Sequence, residues 1–374
     1  MADSRILHLI DSAGMYGAER VVISLLAELR TSRFPGVLGC IREVEGQIPP
    51  IAEEAERCGV EVAFFTMGRG FSRHGLRQIA AFSAKHRIRV IHSHGYKPNI
   101  MLCVGRPRGT RVLSTVHGWA KHTASLKGRL YEYADAVALR RLDMVVAVSR
   151  AVERDLASRG VAERRVTVIH NGIACPADRG ATEPVDLRGK IGLPKTAFVI
   201  GAVGRLVAVK GYEYLIDAMQ EVGRVIPESH LVIAGEGPLL DPLRGRVERH
   251  GLAQRVTFAG YQSEIRRFLA MLDVFVMPSL SEGLPMALLE AVCCGKAAIG
   301  TSVGGIPEVI SNRENGILIP PSDSRSIAKG IVEIHGDEAF KALLSHRGRE
   351  SVEKDFSSDA MARKYSSLYH GMLD

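Results

Sequence analysis

Four charged side chains in this chain have the types and spacing to hold a phosphate-bearing ligand. Glu282 and Glu290 lie in Pro278-Ser-Leu-Ser-Glu282-Gly283-Leu284-Pro285-Met-Ala-Leu-Leu-Glu290, directly after the apolar run Asp273-Val-Phe-Val-Met277. The run reads as a buried strand, and the Ser-Glu-Gly turn leads into a helix with Pro285 in its first turn. Glu282 then stands just before a helix N-terminus, and Glu290 lies about two turns inside. Free backbone N–H groups and the positive dipole end at such a start suit a phosphate. Arg205 and Lys210 flank a short loop after another apolar run, Ala197-Phe-Val-Ile-Gly-Ala-Val-Gly204. Arginine offers a planar fork and lysine a point charge, so the two can clamp a diphosphate. Taken singly, each of the four is better explained as an ordinary loop, helix or surface charge.

Such groups act together only if a sheet edge gathers them. In the second half, apolar runs end in Gly204, in Gly235-Glu236-Gly237, in Gly260-Tyr261 and in Val303-Gly304-Gly305-Ile-Pro307-Glu308. Parallel α/β sheets bind ligands beyond the strand C-termini, so four Gly-bearing turns there imply one ligand edge. The first half repeats the rhythm. Arg5 to Ile10 is a short strand, Asp11-Ser-Ala-Gly14-Met-Tyr-Gly17-Ala-Glu a Gly-rich turn, and Arg20 to Leu29 an amphipathic helix. Runs at 36–41, 60–65, 90–93, 112–116 and 144–148 read as further buried parallel strands. Their ends carry His92, His94-Gly95, His117-Gly118-Trp119 and Ser149-Arg150. His117 directly follows a strand and is expected to face a ligand crevice. A hydrogen-bonded structural histidine is the plain alternative, and a stronger one for His92 inside its strand.

The chain has 374 residues, more than one core usually organises, so two domains are expected. A net charge of +8 without long like-charge runs argues against a nucleic-acid tail. Six cysteines without CxxC spacing read as reduced, buried thiols of a cytoplasmic protein. Neither a secretory signal nor a span of about 18 apolar residues is visible. The aperiodic, Pro- and Gly-containing stretch from Cys175 places a linker at 175–194. It separates a domain at 1–174 from one at 195–355, followed by a helical tail at 356–374.

The pattern Gly204-Arg205-x4-Lys210-Gly211, Gly235-Glu236-Gly237, Glu282-x7-Glu290 and Gly304-Gly305-Ile-Pro307-Glu308 resembles glycosyltransferase family 4. So do the Gly14-x-x-Gly17-Ala-Glu-Arg turn and Val116-His117-Gly118, and the resemblance spans nearly the whole chain. It implies the α/β GT-B architecture: two Rossmann-like domains with parallel sheets facing across a cleft, and a last helix crossing back to the first domain. The implied activity is sugar transfer from a nucleotide-sugar with retained anomeric configuration. Arg205 and Lys210 would neutralise the diphosphate. Glu290 would hold the ribose hydroxyls. Glu282, with the N–H groups of Gly283 and Leu284, would hold the sugar ring and distal phosphate. His117 would contact the donor sugar from the first domain, and Gly14, Gly17, Gly204, Glu236 and Tyr261 would line the nucleotide-sugar site. With two cations in place and no Asp-x-Asp motif, neither a metal nor any other cofactor is expected.

A nucleotide-sugar 2-epimerase of the same two-domain layout is the alternative, and the Glu282/Glu290 spacing with its cations favours the transferase. A dinucleotide oxidoreductase lacks its G-x-G-x-x-G at either first turn. The expected partners are a UDP- or GDP-sugar and a sugar or lipid-linked acceptor. Lys121, Lys127, Arg129, Arg140 and Arg141, interspersed with Leu126, Leu130, Tyr131 and Tyr133, suggest peripheral contact with an anionic membrane face. Arg69 to Arg89 form a second basic stretch, and a solvated helix face explains either.

Overall fold

The computed structural model describes residues 5–12, 14–68, 72–118, 126–175, 187–194 and 196–374. Trp119, Lys121, Arg69 and most of the 175–194 linker lie outside them, as does the side chain of Lys127. The chain divides into two compact units, Met1–Ala174 with Phe356–Asp374, and Cys175–Asp355.

The first unit is built on seven parallel strands: β1 Ile6–Ile10, β2 Gly36–Arg42, β3 Glu61–Thr66, β4 Val90–His94, β5 Arg111–Val116, β6 Met144–Ala147 and β7 Val166–Val168. They lie in the order β3-β2-β1-β4-β5-β6-β7. The near-continuous apolar runs are those of strands covered on both faces. The order reverses between β1 and β4, which is the topological switch point where ligands settle in such sheets. The helix Ser358–Leu373 belongs to this unit and buries Met361, Tyr365 and Tyr369. Its entry is fixed by backbone bonds: Ile173 N–H donates to the Phe356 carbonyl (2.9 Å), and Ser358 N–H to the Ile173 carbonyl (2.9 Å).

The second unit has six parallel strands: β8 Phe198–Val203, β9 Ser229–Ala234, β10 Val256–Gly260, β11 Val274–Met277, β12 Ala297–Thr301 and β13 Ile317–Ile319. The order β10-β9-β8-β11-β12-β13 repeats the first arrangement, with its switch point between β8 and β11. The core packs Leu215, Ile216, Met219 and Val222 of the helix Tyr212–Val225 against strand residues such as Ile200, Ile233 and Val276. The strand Ile317–Ile319 was not among those expected from the sequence. At three residues its apolar run is too short to separate from a loop.

The expectation of six reduced thiols fails at one pair. Cys175 and Cys293 are disulfide-bonded, with Cα atoms 5.8 Å apart across 118 residues of sequence. No linear spacing reveals that pairing, because the chain fold alone brings the two together. Cys40, Cys58, Cys103 and Cys294 are free. No helix among the described residues is long and apolar enough to cross a membrane.

Candidate active site

At the C-terminal edge of the second sheet, the loops after β8, β11 and β12 are knitted together. The loop after β8 runs through Gly204 and Arg205 into a short 3-10 turn, Ala208–Lys210. Leu280 N–H, in the loop after β11, donates to the Val209 carbonyl at 2.7 Å. Beside that bond, Lys210 Nζ donates to Glu282 Oε1 at 2.6 Å. Both side chains are largely covered, with 20% and 10% exposure, so this pair is screened less than a surface one. Ser279 Oγ donates to the same Glu282 oxygen at 2.6 Å. Ser279 is itself fixed through its carbonyl, which accepts from Thr301 Oγ1 of β12 at 2.5 Å.

Two glycines make this convergence possible. Gly211 has φ +62°, and a Cβ there would stand 2.2 Å from the Pro278 carbonyl oxygen. Gly304 has φ +56°, and its Cβ would stand 1.9 Å from the Glu282 carbonyl oxygen. Any side chain would push the loops apart and favour the wrong backbone region besides.

The helix after β11 runs Met286–Cys293 and is capped by Pro285. Glu290 is therefore its fifth residue, a little over one turn inside rather than two. Proline ended up as the cap and not within the first turn, which moves the helix start one residue along. Leu284 is buried, and Glu282, Gly283 and Glu290 are half-buried. Arg205 is exposed directly after Gly204. Glu236 turns its side chain to solvent, while its carbonyl accepts from Leu206 N–H at 2.8 Å and ties the β9 loop to the β8 loop. Tyr261 is 55% exposed at the end of β10. The switch point of the sheet thus brings Lys210 and Glu282 into contact, with Arg205 on the loop that carries Lys210 and Gly283–Leu284 next along from Glu282.

Sequence reasoning gave no role to Ser279, Thr301 or Tyr212. The Ser-x-x-Glu spacing was a legible signal for Ser279, since it is the spacing of a capping pair. The Tyr212 ring is 2% exposed, and its hydroxyl has no hydrogen-bond partner among the described residues. Burial, and then the charge of Glu282, raises its pKa.

In the first unit, Gly14 and Gly17 bracket the turn after β1. Glu19, in the first turn of the helix Gly17–Leu29, shapes it by accepting from Tyr16 N–H (3.1 Å) and Ser12 Oγ (2.7 Å). Across the switch point, Asp11 pairs with Lys97 at 3.3 Å. His117 directly follows β5, as expected. Both of its ring nitrogens are shielded from solvent and lack partners among the described residues, and burial lowers its pKa to about 4. It is a neutral imidazole near pH 7.

His92 was expected at the ligand edge and lies inside its strand instead, whereas His94 ends β4 with its ring centroid 6.0 Å from that of His117. In register, His92 sits opposite His8 of β1, and alternation places His94 on the same sheet face. That face is covered by the helix Ser358–Leu373. His92 bonds Tyr369 and Thr115, both at 2.7 Å, and Thr115 bonds Tyr365 at 2.7 Å. His8 contacts His94 and Tyr369, both at 3.3 Å. One ring nitrogen from each of His8, His92 and His94 lies within 4.8 Å of the others, and all their ring nitrogens except His94 Nδ1 have side-chain partners among the described residues, as expected of a structural network.

Comparison with known proteins places the chain in a family. The family model described as Glycosyl transferases group 1 matches residues 186–351, and that described as Glycosyltransferase Family 4 matches residues 15–175. A relative from Escherichia coli, UDP-Gal:alpha-D-GlcNAc-diphosphoundecaprenol alpha-1,3-galactosyltransferase, is 28% identical over 298 residues, 77% of either chain. The lipopolysaccharide core biosynthesis glycosyltransferase LpsE of Rhizobium meliloti is 29% identical over 273 residues, 73% of this chain and 76% of that one. Among solved structures, Anabaena HepE in complex with UDP-glucose superposes with a TM-score of 0.83 at 21% identity, covering 98% of this chain and 99% of the other. That likeness concerns the fold.

Proposed function

The chain belongs to the family 4 glycosyltransferases, and from that premise we propose that it moves a sugar from a UDP-sugar or GDP-sugar to a hydroxyl of a lipid-linked or polysaccharide intermediate, with retention and without a metal. The observation that carries the reading is the Lys210–Glu282 pair at the β8/β11 switch point, one carboxylate and one cation held beside a helix start. Arg205 and Lys210 take the diphosphate and the negative charge that grows on it as the glycosidic bond to phosphate breaks. Glu282 takes sugar hydroxyls and Glu290 the ribose. His117, neutral, offers a ring N–H to the donor sugar. The acceptor oxygen bonds to the anomeric carbon on the face the phosphate leaves, and its proton passes to the departing phosphate oxygen.

A uridine donor is favoured by the relatives: the Escherichia coli enzyme is named for UDP-Gal and a diphosphoundecaprenol acceptor, and HepE was crystallised with UDP-glucose. These relatives lend no support to the epimerase alternative. Peripheral membrane contact rests on the helix Leu126–Leu139, where Leu130 is 67% and Tyr133 68% exposed beside the exposed Arg129. The test is a panel of UDP- and GDP-sugars scored by thermal shift, then supplied with polyprenyl-diphosphate sugars. A ligand at 100 times its dissociation constant stabilises the fold by about 2.7 kcal/mol. No stabilisation by any nucleotide-sugar removes the reading. An inverted anomeric centre in the product, or activity abolished by EDTA and restored by a divalent ion, removes the corresponding part. Membrane contact is dropped if the protein fails to co-sediment with anionic vesicles and charge reversal at Lys127 and Arg129 leaves activity unchanged.

A further inference from the structure

The positive excess of the chain resides in its first unit. There 28 lysines and arginines face 18 acidic residues, whereas the second unit has 21 against 23. Part of that excess is gathered where strands β5, β6 and β7 begin, at the edge of the sheet opposite the one that carries Gly14 and His117. Arg106, Arg111, Arg141 and Arg165 line an open cavity of about 440 Å³ there, with Leu142 and Asp143. Arg111 opens β5, Asp143 immediately precedes β6, and Arg165 immediately precedes β7. Three neighbouring strands therefore fix the positions of Arg111, Asp143 and Arg165, and Arg106 follows the helix Tyr96–Gly105.

One carboxylate answers four guanidinium groups. Asp143 accepts two bonds from Arg106 (3.0 and 2.8 Å) and one from Val112 N–H (2.7 Å). Arg165 donates to the Arg140 carbonyl at 2.7 Å. The side chains of Arg111 and Arg141 make no hydrogen bond or ion pair among the described residues. Like charges held around one cavity repel, and an anion relieves that repulsion while using the idle forks.

We infer that this cavity binds a phosphate-type oxyanion, gripped by Arg111 and Arg141 within the field of Arg106 and Arg165. It lies at the opposite sheet edge from Gly14, Gly17 and His117, so its occupant is not the reacting diphosphate. Free phosphate and a phospholipid headgroup present the same oxygens, and they differ in whether binding brings the protein to a membrane.

The full chain is compared with the Arg111→Ala/Arg141→Ala double variant, whose substituted side chains are exposed. Thermal midpoints are read with inorganic phosphate, with sodium chloride at matched ionic strength, and with UDP. Co-sedimentation is read with phosphatidylglycerol and phosphatidylcholine vesicles. Wild type is expected to gain stability from phosphate beyond the salt control. The double variant is expected to bind phosphate about tenfold more weakly, having lost charged hydrogen bonds, with its response to UDP unchanged. A parallel loss of phosphatidylglycerol binding identifies a lipid headgroup as the occupant. Loss of the phosphate response alone identifies the free ion. The inference is overturned if wild type shows neither response, or if the double variant keeps both. A fall in the UDP response would instead mean the substitutions act on the donor site.

Discussion

Lys210 and Glu282, 72 positions apart, meet at 2.6 Å, so that in the proposed reading each neutralises the charge assigned to the donor. Glu282 Oε1 is also held by Ser279, so the carboxylate is fixed whether or not the lysine stays. Under the proposed function, a donor diphosphate would compete with Glu282 for Lys210 or share its three N–H donors.

Replacing Lys210 with Ala is expected to lower kcat by about 10²–10³, the scale of losing one donor to developing negative charge. Because the pair acts as a unit, the Lys210→Ala/Glu282→Gln double variant should fall well short of the product of the single effects. Steady-state kinetics on the four proteins decide this, and simple multiplication of the two losses would show the residues to be independent.

Replacing Glu290 with Gln should act on donor binding. It is expected to raise the donor KM by about tenfold, the scale of hydrogen bonds to a charged group, with a smaller effect on kcat. An unchanged KM would remove the ribose role.

A Gly304→Ala variant tests the convergence of the loops. Its Cβ would stand 1.9 Å from the Glu282 carbonyl oxygen at a positive φ. The expected cost is about 1–3 kcal/mol of stability, read from urea midpoints, with loss of donor binding as Glu282 shifts. A variant of wild-type stability and affinity would mean that the loops move freely.

Acid should weaken the first unit. Burial holds His8 near pKa 3 and His117 near 4. His92 and His94 lie well below the usual histidine value, by burial first and then by neighbouring histidines. With folded values below the unfolded one of about 6.5, the unfolded chain binds more protons on acidification. This stabilisation is complete above about pH 6.5 and is lost as pH falls toward 3–4. Ring resonances followed by NMR should show four histidines still neutral at pH 5, and the thermal midpoint should fall between pH 6 and 4. Four fully protonated rings at pH 5 in the folded protein would contradict the burial.

Replacing Tyr369 with Phe removes bonds to His92 and His8 while keeping the ring. A stability loss of about 1–3 kcal/mol is expected, since buried imidazole nitrogens are left unpaired. Stability equal to wild type would mean that the network does not hold the C-terminal helix.

The strands and their Gly-bearing ends were legible because both are local. Apolar runs of four to six residues mark buried strands, and glycine marks a turn that a side chain would obstruct. The charged residues Arg205, Lys210 and Glu282 could be picked out for the same reason, since each lies in a loop after a strand, and Glu290 by its place in the helix that follows. What sequence alone could not supply was which of them touch. The Lys210–Glu282 contact, the Thr301–Ser279–Glu282 chain and the Cys175–Cys293 bond each join segments separated by other elements, and only the parallel strand order brings them to one place. The histidines show the limit most clearly. His92 looked like a ligand-edge residue, yet its place inside β4 puts it on the covered face beside His8, while His94 ends that strand and His117, directly beyond the end of β5, keeps ring nitrogens without hydrogen-bond partners among the described residues. Side-chain period and strand end are written in the chain; which face a helix covers is decided by the packing of the whole unit.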